Sequence, residues 1–380
     1  MIGERFYNSE HKAFHETVHR FVENELLPHR KEWEAAGTVP REVWRKAGEA
    51  GLLCCDVPEE YGGVGGDFMY NVIVNEGMTR AGGGGPALAG HSDTAVPYIL
   101  RYGSEALKRE WLPKAVSGEA IFAVAMTEPH AGSDLQAMRT RAVRDGDEYV
   151  ITGQKVYISN AQQAHAVVLA CKTDQQARGN GISLILVDMD SPGLVRGGLM
   201  EKIGRRAQDT LELFFDEVRV PVSNLIGEEN AGFGYLKSML AQERLSSAVR
   251  AMAVTNLTLD WTRDYVKDRD AFGKKVAAFQ NTQFEMADVW SHARVHQVFL
   301  EDCIEKHLRE ALTVTDAAIA KLRVTELEGM VIDRCLQFFG GAGYMWESPI
   351  ARAYADARVN RISAGSNHIL KMLIGREFLG

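Results

Sequence analysis

Long apolar runs are missing from this sequence: none approaches the ~20 residues that a membrane-spanning helix needs. The first residues are interrupted by acids and do not resemble a secretory or transit segment. The five cysteines include no CxxC pair, so neither a disulfide framework nor a zinc site is indicated, and we expect reduced, buried thiols. These absences predict a cytoplasmic protein with no membrane insertion and no metal ion.

An excess of basic residues is missing too. The chain has 43 lysines and arginines against 51 acidic residues, a formal net charge of −8, so no surface field favours a nucleic acid or an anionic membrane. The P-loop, the HExxH helix and the GxSxG elbow are also absent, which weakens kinase and hydrolase interpretations. With 380 residues, the chain has the length of roughly two or three globular domains.

The chain divides into three consecutive zones that differ in the spacing of their apolar residues and in their turn residues. Residues 1–118 show helical spacing, with apolar residues three and four apart in "FHETVHRFVENELL". Residues 119–228 contain short β-rich runs separated by turn residues, which predicts an antiparallel sheet or barrel. Residues 229–380 return to long amphipathic stretches and predict a helical bundle. The fold class is therefore mainly α with a central β domain.

The segment "GGGGPA" at 82–87 formally fits the dinucleotide-binding pattern of spaced glycines. A helical run precedes it, however, where that pattern requires a strand. We expect a local role instead, in which the glycines and Pro86 interrupt a helix and remove side-chain bulk from a packed contact.

The strongest signal is "AMTEPHAGSDLQAMRTRA" followed by "GQKVYISNA". It joins a strand end and a turn to hydroxyl groups and an aromatic ring. Hydroxyls and main-chain amides can satisfy the edge of a polar heterocycle while a flat ring covers its face. Taken alone, the pattern also fits a well-capped turn and an ordinary strand tyrosine. The residues concerned are Thr127, Ser133, Tyr157 and Ser159.

These two motifs resemble the flavin-facing signature of the acyl-CoA dehydrogenase family. The segments "YVKDRDAFGKKV", "QFFGGAGYMWESPIARAYADARV" and "ISAGSNHILKMLIGR" stand in the order and spacing of that family, closest to its long-chain and isovaleryl branch. The resemblance implies an N-terminal helical domain (1–118), a middle β-barrel domain (119–228) and a C-terminal four-helix bundle (229–380). It also implies a homotetramer.

The resemblance further implies FAD as the cofactor, bound between the β domain and the bundle. Thr127 and Ser159 would contact the isoalloxazine edge and Tyr157 would pack on the ring, while a neighbouring subunit would hold the adenosine and pyrophosphate half. The positions that match this second half are Arg269, Phe272, Gln280, Gln337, Gly340 and Gly341. Further cofactor positions are Met126, Ser133, Ser366 and His368.

Dehydrogenation of an acyl thioester needs a base for the α-proton. Many family members carry it in a C-terminal "YEGT" stretch, but this chain has "SAGS" there, so the position is Ala364. The long-chain and isovaleryl branch places the base on the first bundle helix, where this chain has Glu243. At 100° per residue Glu243 lies within about 20° of Leu236, on the apolar stripe of that helix. Arg250 shares the stripe, so a solvated or ion-paired Glu243 stays open.

The predicted function is therefore FAD-dependent α,β-dehydrogenation of a fatty or branched acyl-CoA, with electrons passed to an electron-transferring flavoprotein. An acyl-CoA oxidase, a flavin monooxygenase and an inactive acyl-CoA-binding homologue remain alternatives. The resemblance places Ser133, Arg244, Ala364 and Gly365 at the substrate, with the Ala364 N–H on the thioester oxygen. Two departures from the family pattern, His130 and His368, fall at the cofactor or CoA rim.

Overall fold

An N-terminal helical region opens the chain in the computed structural model, which describes all residues, 1–380. Asn8 caps the first helix: its side chain accepts from the His11 N–H, and the His11 ring in turn accepts from the Asn8 N–H. The predicted apolar stripe is confirmed, since Val18, Phe21 and Leu26 are buried. The helices are α1 (Ser9–Phe21), α2 (Arg30–Ala36), α3 (Arg41–Glu49), α4 (Phe68–Met78), α5 (Val96–Tyr102) and α6 (Glu105–Val116).

The glycine segment forms a short 3-10 turn, Gly82–Gly84, four residues after α4 ends. A Cβ on Gly83 would lie 2.3 Å from the Cα of Arg205, and one on Gly84 would lie 2.1 Å from the Arg30 side chain. The predicted local role is confirmed, because the glycines allow the N-terminal region to pack closely against a loop of the β domain.

Eight strands form the central sheet. They are β1 (Phe122–Ala125), β2 (Arg141–Asp145), β3 (Glu148–Ser159), β4 (Ala166–Lys172), β5 (Ile182–Asp188), β6 (Leu194–Arg196), β7 (Thr210–Pro221) and β8 (Leu225–Ile226). Along the sheet the order is β6-β7-β3-β2-β4-β5-β8, and β1 pairs with β4 in parallel. The predicted β domain is confirmed, but its hydrogen-bonded path has two ends and does not close into a barrel.

A buried ion pair lies inside this domain. Lys155 on β3 and Glu128, in the loop after β1, are both almost inaccessible to water, and their Nζ and Oε1 atoms are 2.9 Å apart. The Glu128 carboxylate also accepts the backbone N–H groups of Arg139 and Thr140. Burial alone would raise the pKa of Glu128, but Lys155 and these donors hold it below its usual value.

The C-terminal region contains α7 (Gly232–Asp268), a small hairpin of β9 (Asp270–Ala271) and β10 (Lys274–Lys275), α8 (Gln280–Leu308), α9 (Val314–Phe339), α10 (Pro349–Ala357) and α11 (Asn367–Leu379). Helix α7 packs against α8 and α9, and α11 packs against α9, which confirms the predicted bundle. The N-terminal helix α4 adds Phe68, Met69 and Val72 to the bundle core, so the two helical regions share one apolar cluster.

Two further predictions concern membranes and thiols. No helix combines the length and the apolar character that crossing a bilayer requires. All five cysteines are buried and free, as predicted. Burial raises the pKa of Cys55, Cys171 and Cys303, so these thiols stay protonated and unreactive.

Removing one partner of the buried pair should destabilise the β domain strongly. In Lys155→Met the Glu128 carboxylate stays buried without its counter-charge, and we expect a loss of about 3–5 kcal/mol in the free energy of unfolding. The control is Arg219→Met, because Arg219 pairs with Asp145 and Glu148 on the surface; it should cost less than about 1 kcal/mol. Equal losses in the free energy of unfolding, measured by urea titration of the two variants, would show that the buried pair contributes no more stability than the surface pair.

Candidate active site

A β-bulge presents the predicted flavin-facing residues of β3. Lys155 pairs with Leu213 of β7 and Ile158 with Leu211, so β3 carries one more residue than β7 between these pairs. Because alternate residues of a strand point to opposite faces, the extra residue reverses the alternation. Lys155 is therefore buried, while Tyr157 (φ +61°, 67% exposed) and Ser159 are exposed.

The loop after β1 is held beside this bulge. The Val156 N–H donates to the Thr127 carbonyl at 2.9 Å, and Lys155 Nζ donates to the Met126 carbonyl at 2.9 Å. The structure thus brings Met126 and Thr127 next to Tyr157 and Ser159. Ser133, farther along the loop, is exposed.

His130 occupies the rim of the same loop. Its Nε2 lies 3.3 Å from Glu128 Oε2, so the ring sits against the outer side of the buried ion pair. The contact between His130 and Glu128 was not predicted, because Glu128 was not among the residues predicted to form the site. The contact gives His130 a structural explanation.

Glu243 lies on α7 facing α5. Tyr98 Oη donates a hydrogen bond to Glu243 Oε1 at 3.2 Å. Part of the Glu243 side chain remains accessible, yet the surrounding protein removes enough water to raise its pKa to about 7; the hydrogen bond and the charges of Arg244 and Arg250 act in the opposite direction. A carboxyl group that titrates near neutrality can both accept and release a proton at physiological pH.

The C-terminal loop carries the predicted substrate contacts. Ala364 and Gly365 both have positive φ, +53° and +85°. A non-glycine residue in this region costs on the order of 1 kcal/mol and persists where its surroundings fix it. Here the fixing group is Lys321, a fully buried residue of α9 whose Nζ donates to the Gly365 carbonyl (2.9 Å) and to Asn367 Oδ1 (3.0 Å).

Arg244 stands beside this loop with unused donors. Its side chain is buried, and its Nε and Nη1 atoms have no hydrogen-bond partner. An ideal Cβ on Gly365 would lie 3.8 Å from Arg244 Nη2, so the guanidinium and the loop are neighbours. Burial lowers the pKa of Arg244, and burial beside Arg244 lowers that of Lys321 to about 8. Two buried cations and an orphaned donor pair suit a polar or anionic ligand group.

The matches to the second half of the cofactor site gather at the opposite end of the bundle. The rings of Tyr265 on α7 and Phe339 on α9 stack with centroids 4.3 Å apart, which joins the C-terminal ends of these two helices. Phe272, at the tip of the hairpin after α7, is 97% exposed. The other five positions, Arg269, Gln280, Gln337, Gly340 and Gly341, are exposed as well. Ser366 is the N-cap residue of α11 and is half-buried, and His368 lies exposed in the first turn of that helix.

Sequence reasoning missed Tyr98, Glu128, Lys155 and Lys321 as parts of this site. Lys155 and Lys321 carried a signal, since each lysine interrupts a sequence that otherwise predicts a buried face. Tyr98 carried none, because its partner is 145 positions away.

Comparison with known proteins settles the family. Models of the acyl-CoA dehydrogenase N-terminal, middle and C-terminal domains match residues 8–119, 123–218 and 230–379. The chain belongs to the acyl-CoA dehydrogenase family. It is accordingly an oxidoreductase that dehydrogenates an acyl-CoA, and the resemblance inferred from its motifs is confirmed.

Relatives of known name agree over the whole length. The mitochondrial long-chain specific acyl-CoA dehydrogenase of Sus scrofa is 45% identical over 377 residues, 99% of this chain and 88% of the relative. The crystal structure of an acyl-CoA dehydrogenase from Geobacillus kaustophilus superposes with a TM-score of 0.96 at 44% identity, covering 98% of this chain and 99% of that one. A glutaryl-CoA dehydrogenase from Mycobacterium smegmatis, solved in complex with FADH2, superposes with a TM-score of 0.90 at 25% identity, covering 99% and 96%.

The raised pKa of Glu243 should make the stability of the protein depend on pH. A carboxyl group whose pKa is about 7 in the fold and about 4.5 in the unfolded chain favours folding while it is protonated, and this stabilisation is lost as the pH rises from about 4.5 to about 7. Glu243→Gln cannot ionise, so its melting temperature should exceed that of the wild type increasingly across this interval and by a constant amount above it. A melting-temperature difference that stays flat from pH 4 to pH 8 would place Glu243 in a water-like environment.

Proposed function

We propose that this protein is an FAD-dependent acyl-CoA dehydrogenase in which Glu243 removes the α-proton of a saturated acyl thioester, giving the trans-2-enoyl-CoA. The single observation that carries the proposal is the environment of Glu243: a carboxylate on α7, hydrogen-bonded by Tyr98, with its pKa raised to about 7 by burial. The C-terminal loop provides no carboxylate, because Ala364 occupies the position of the base in other branches. We propose an electron-transferring flavoprotein as the electron acceptor.

The residues present fit a flavin. The bulge in β3 exposes one flat ring, Tyr157, and one hydroxyl, Ser159, beside the Met126–Thr127 backbone, and a polar heterocycle needs this combination of stacking surface and edge partners. A bound FAD would supply the acceptor for the hydride that leaves the β-carbon. Thr127 and Ser159 would hold its ring edge, and Tyr157 would cover the ring face.

The chain itself performs the proton chemistry. Glu243 takes the proton, and its raised pKa narrows the difference in acidity between the carboxyl group and the weakly acidic α-carbon. The thioester oxygen gains negative charge as this proton leaves, so a fixed N–H donor aimed at it stabilises the transition state. The Ala364 N–H is the proposed donor. Lys321 donates a hydrogen bond to the carbonyl of Gly365, the residue after Ala364, and so fixes the loop backbone that orients this N–H.

Arg244 has a role in binding within the same proposal. Its Nε and Nη1 atoms lack a protein partner although the side chain is buried, and a buried unsatisfied donor is costly. A polar group of the acyl-CoA that entered next to Gly365 would satisfy these donors. The hydrogen bonds that Arg244 would gain in this way would contribute to substrate affinity.

We further propose that two subunits share each FAD within a homotetramer. The helical rise of 1.5 Å per residue separates Glu243 from Arg269 by roughly 39 Å along α7, a span that one dinucleotide does not bridge. Arg269 and the exposed Phe272 would therefore contact the cofactor of another subunit. Oligomerisation is also favoured by large apolar side chains of α8 that are more than half exposed in the single chain: Phe284, Trp290, Val295 and Val298.

The remaining assignments follow from the sequence. We propose a long or methyl-branched acyl chain, because "GGGGPALAGHSD" resembles the long-chain branch. We also propose the domain limits 1–118, 119–228 and 229–380 and a cytoplasmic location.

Glu243→Gln tests the central proposal. The amide keeps the shape and the hydrogen bond from Tyr98 but cannot take a proton, so substrate-driven flavin reduction should slow by about 10² to 10⁴. Rapid mixing with acyl-CoA, followed by flavin absorbance, measures this rate. Bleaching within a few-fold of the wild-type rate would place the base elsewhere.

Arg269→Ala tests the shared cofactor. The variant should lose FAD on gel filtration more readily than the wild type, because a charge-assisted hydrogen bond to phosphate is removed. Arg263→Ala is the matched control, since Arg263 is also an exposed arginine near the end of α7 but pairs with Asp260 and Asp264. A wild-type monomer that retained one FAD per chain by light scattering and absorbance would refute the sharing.

A further inference from the structure

Helix α5 forms one wall of the Glu243 site through three polar contacts with α7. Tyr98 Oη donates to Glu243 Oε1 at 3.2 Å, Arg101 Nη2 donates to Gln242 Oε1 at 2.8 Å, and the hydroxyls of Tyr102 and Ser238 are 2.6 Å apart. Residues 98, 101 and 102 lie on one helical face because they are three and four positions apart. Only the first of these contacts reaches the proposed base.

Tyr98 is well suited to be a fixed donor. Its side chain is completely buried, and burial together with the nearby Glu243 charge raises the pKa of the phenol, so the proton stays on the hydroxyl. The bond engages Oε1 of Glu243 and leaves Oε2 as the oxygen that can face a substrate. A carboxylate that is held at one oxygen loses rotational freedom before the substrate arrives.

Buried polar residues of α4 fix the turn that leads into α5. The π-helical turn Gly90–Ala95 leads directly into α5, and its Asp93 accepts hydrogen bonds from Asn71 (2.9 Å) and Asn75 (2.6 Å) of α4. Asn75 Oδ1 in turn accepts from Arg250 of α7 at 2.8 Å. Polar contacts therefore connect α7 to α4, α4 to the turn before α5, and α5 back to α7 at Glu243. Contacts with α4, through the turn before α5, and with α7 therefore fix the position of the Tyr98 hydroxyl.

We propose that Tyr98 is a positioning residue for Glu243, which orients the carboxylate through Oε1 and sets the pH at which it becomes a base. This inference rests on the proposed role of Glu243. A hydrogen bond donated to the ionised form favours that form, so Tyr98 counteracts part of the effect of burial and keeps more Glu243 ionised at neutral pH.

Other charged groups also face Glu243 and must stay unchanged in a test. They are Arg244 and Arg250, both on α7 itself, and Lys321 of α9 lies near Arg244, whose charge lowers the pKa of Lys321. No other group donates a hydrogen bond to Glu243 from the opposing helix α5, where Arg101 is committed to Gln242. A substitution at position 98 that keeps the ring therefore changes one donor and leaves these cations in place.

The test is the pH profile of kcat/KM for acyl-CoA dehydrogenation by the holoenzyme. In Tyr98→Phe the acid limb should move to higher pH by about one unit, since a hydrogen bond to a charged group is worth about one pKa unit or more. Well above this limb kcat/KM should return to within a few-fold of the wild-type value. Site-specific replacement of Tyr98 by 3-fluorotyrosine, a stronger donor, should move the limb to lower pH.

Tyr102→Phe is the matched control. It removes a hydroxyl from the same α5–α7 interface one residue after Arg101, but that hydroxyl contacts Ser238 and not Glu243. Its acid limb should coincide with that of the wild type, even if its melting temperature falls as much as that of Tyr98→Phe.

The possible outcomes separate the two proposals. An unmoved acid limb in both Tyr98 variants overturns the positioning role, and so does an equal shift in Tyr102→Phe. If Glu243→Gln abolishes flavin reduction while the limb is unmoved, only the role of Tyr98 is wrong. If Glu243→Gln reacts at the wild-type rate, the base itself is wrong, whatever the Tyr98 variants show. Opposite shifts with phenylalanine and fluorotyrosine support the positioning role.

Discussion

The removal of water from one carboxylate, that of Glu243, is the constraint on which the rest of the site depends. An isolated buried carboxylate is costly, and the protein meets this cost without pairing the group to a single close cation. Burial raises the pKa to about 7, while Tyr98 and two arginines limit the rise. The group is thus neither locked as a permanent anion nor neutral at all pH values. A proton acceptor that must later release its proton needs this intermediate state.

Local irregularities of the backbone, supported by buried lysines, shape the two sides of the site. On the β side, one extra residue in β3 exposes Tyr157 and Ser159, and Lys155 fixes the adjacent loop through the Met126 carbonyl. On the bundle side, Ala364 adopts a left-handed conformation, and Lys321 fixes the following carbonyl. In both places a fully buried ammonium group holds a main-chain carbonyl. The backbone geometry on both sides of the candidate site is therefore fixed by lysines that are buried in the protein interior.

Local patterns in the sequence predict much of this structure. All eight strands of the central sheet lie in the zone 119–228, where short β-rich runs are predicted, and α7 lies in the zone 229–380, where long amphipathic stretches are predicted. Glu243 was indicated by the resemblance to the long-chain and isovaleryl branch, and helical periodicity, which places it on the apolar stripe of its helix, agrees with that position. The bulge and the π-helical turns at Val22–Leu26 and Gly90–Ala95 could not be predicted, since each depends on tertiary packing that overrides the local period. The open order of the sheet and the contact between Tyr98 and Glu243 depend on pairings between distant segments and left no local signal.

The central claim, that Glu243 takes the α-proton, can be tested apart from oxidation by following exchange of that proton. 3,3-Dimethylbutanoyl-CoA has no hydrogen on its β-carbon, so it can lose an α-proton but no hydride. With α-deuterated thioester and holoenzyme in ordinary water, mass spectrometry should show deuterium loss with the wild type and none above background with Glu243→Ala. The double variant Glu243→Ala, Ala364→Glu should regain part of the exchange, because it returns a carboxylate to the pocket. Exchange by Glu243→Ala at the wild-type rate would contradict the claim.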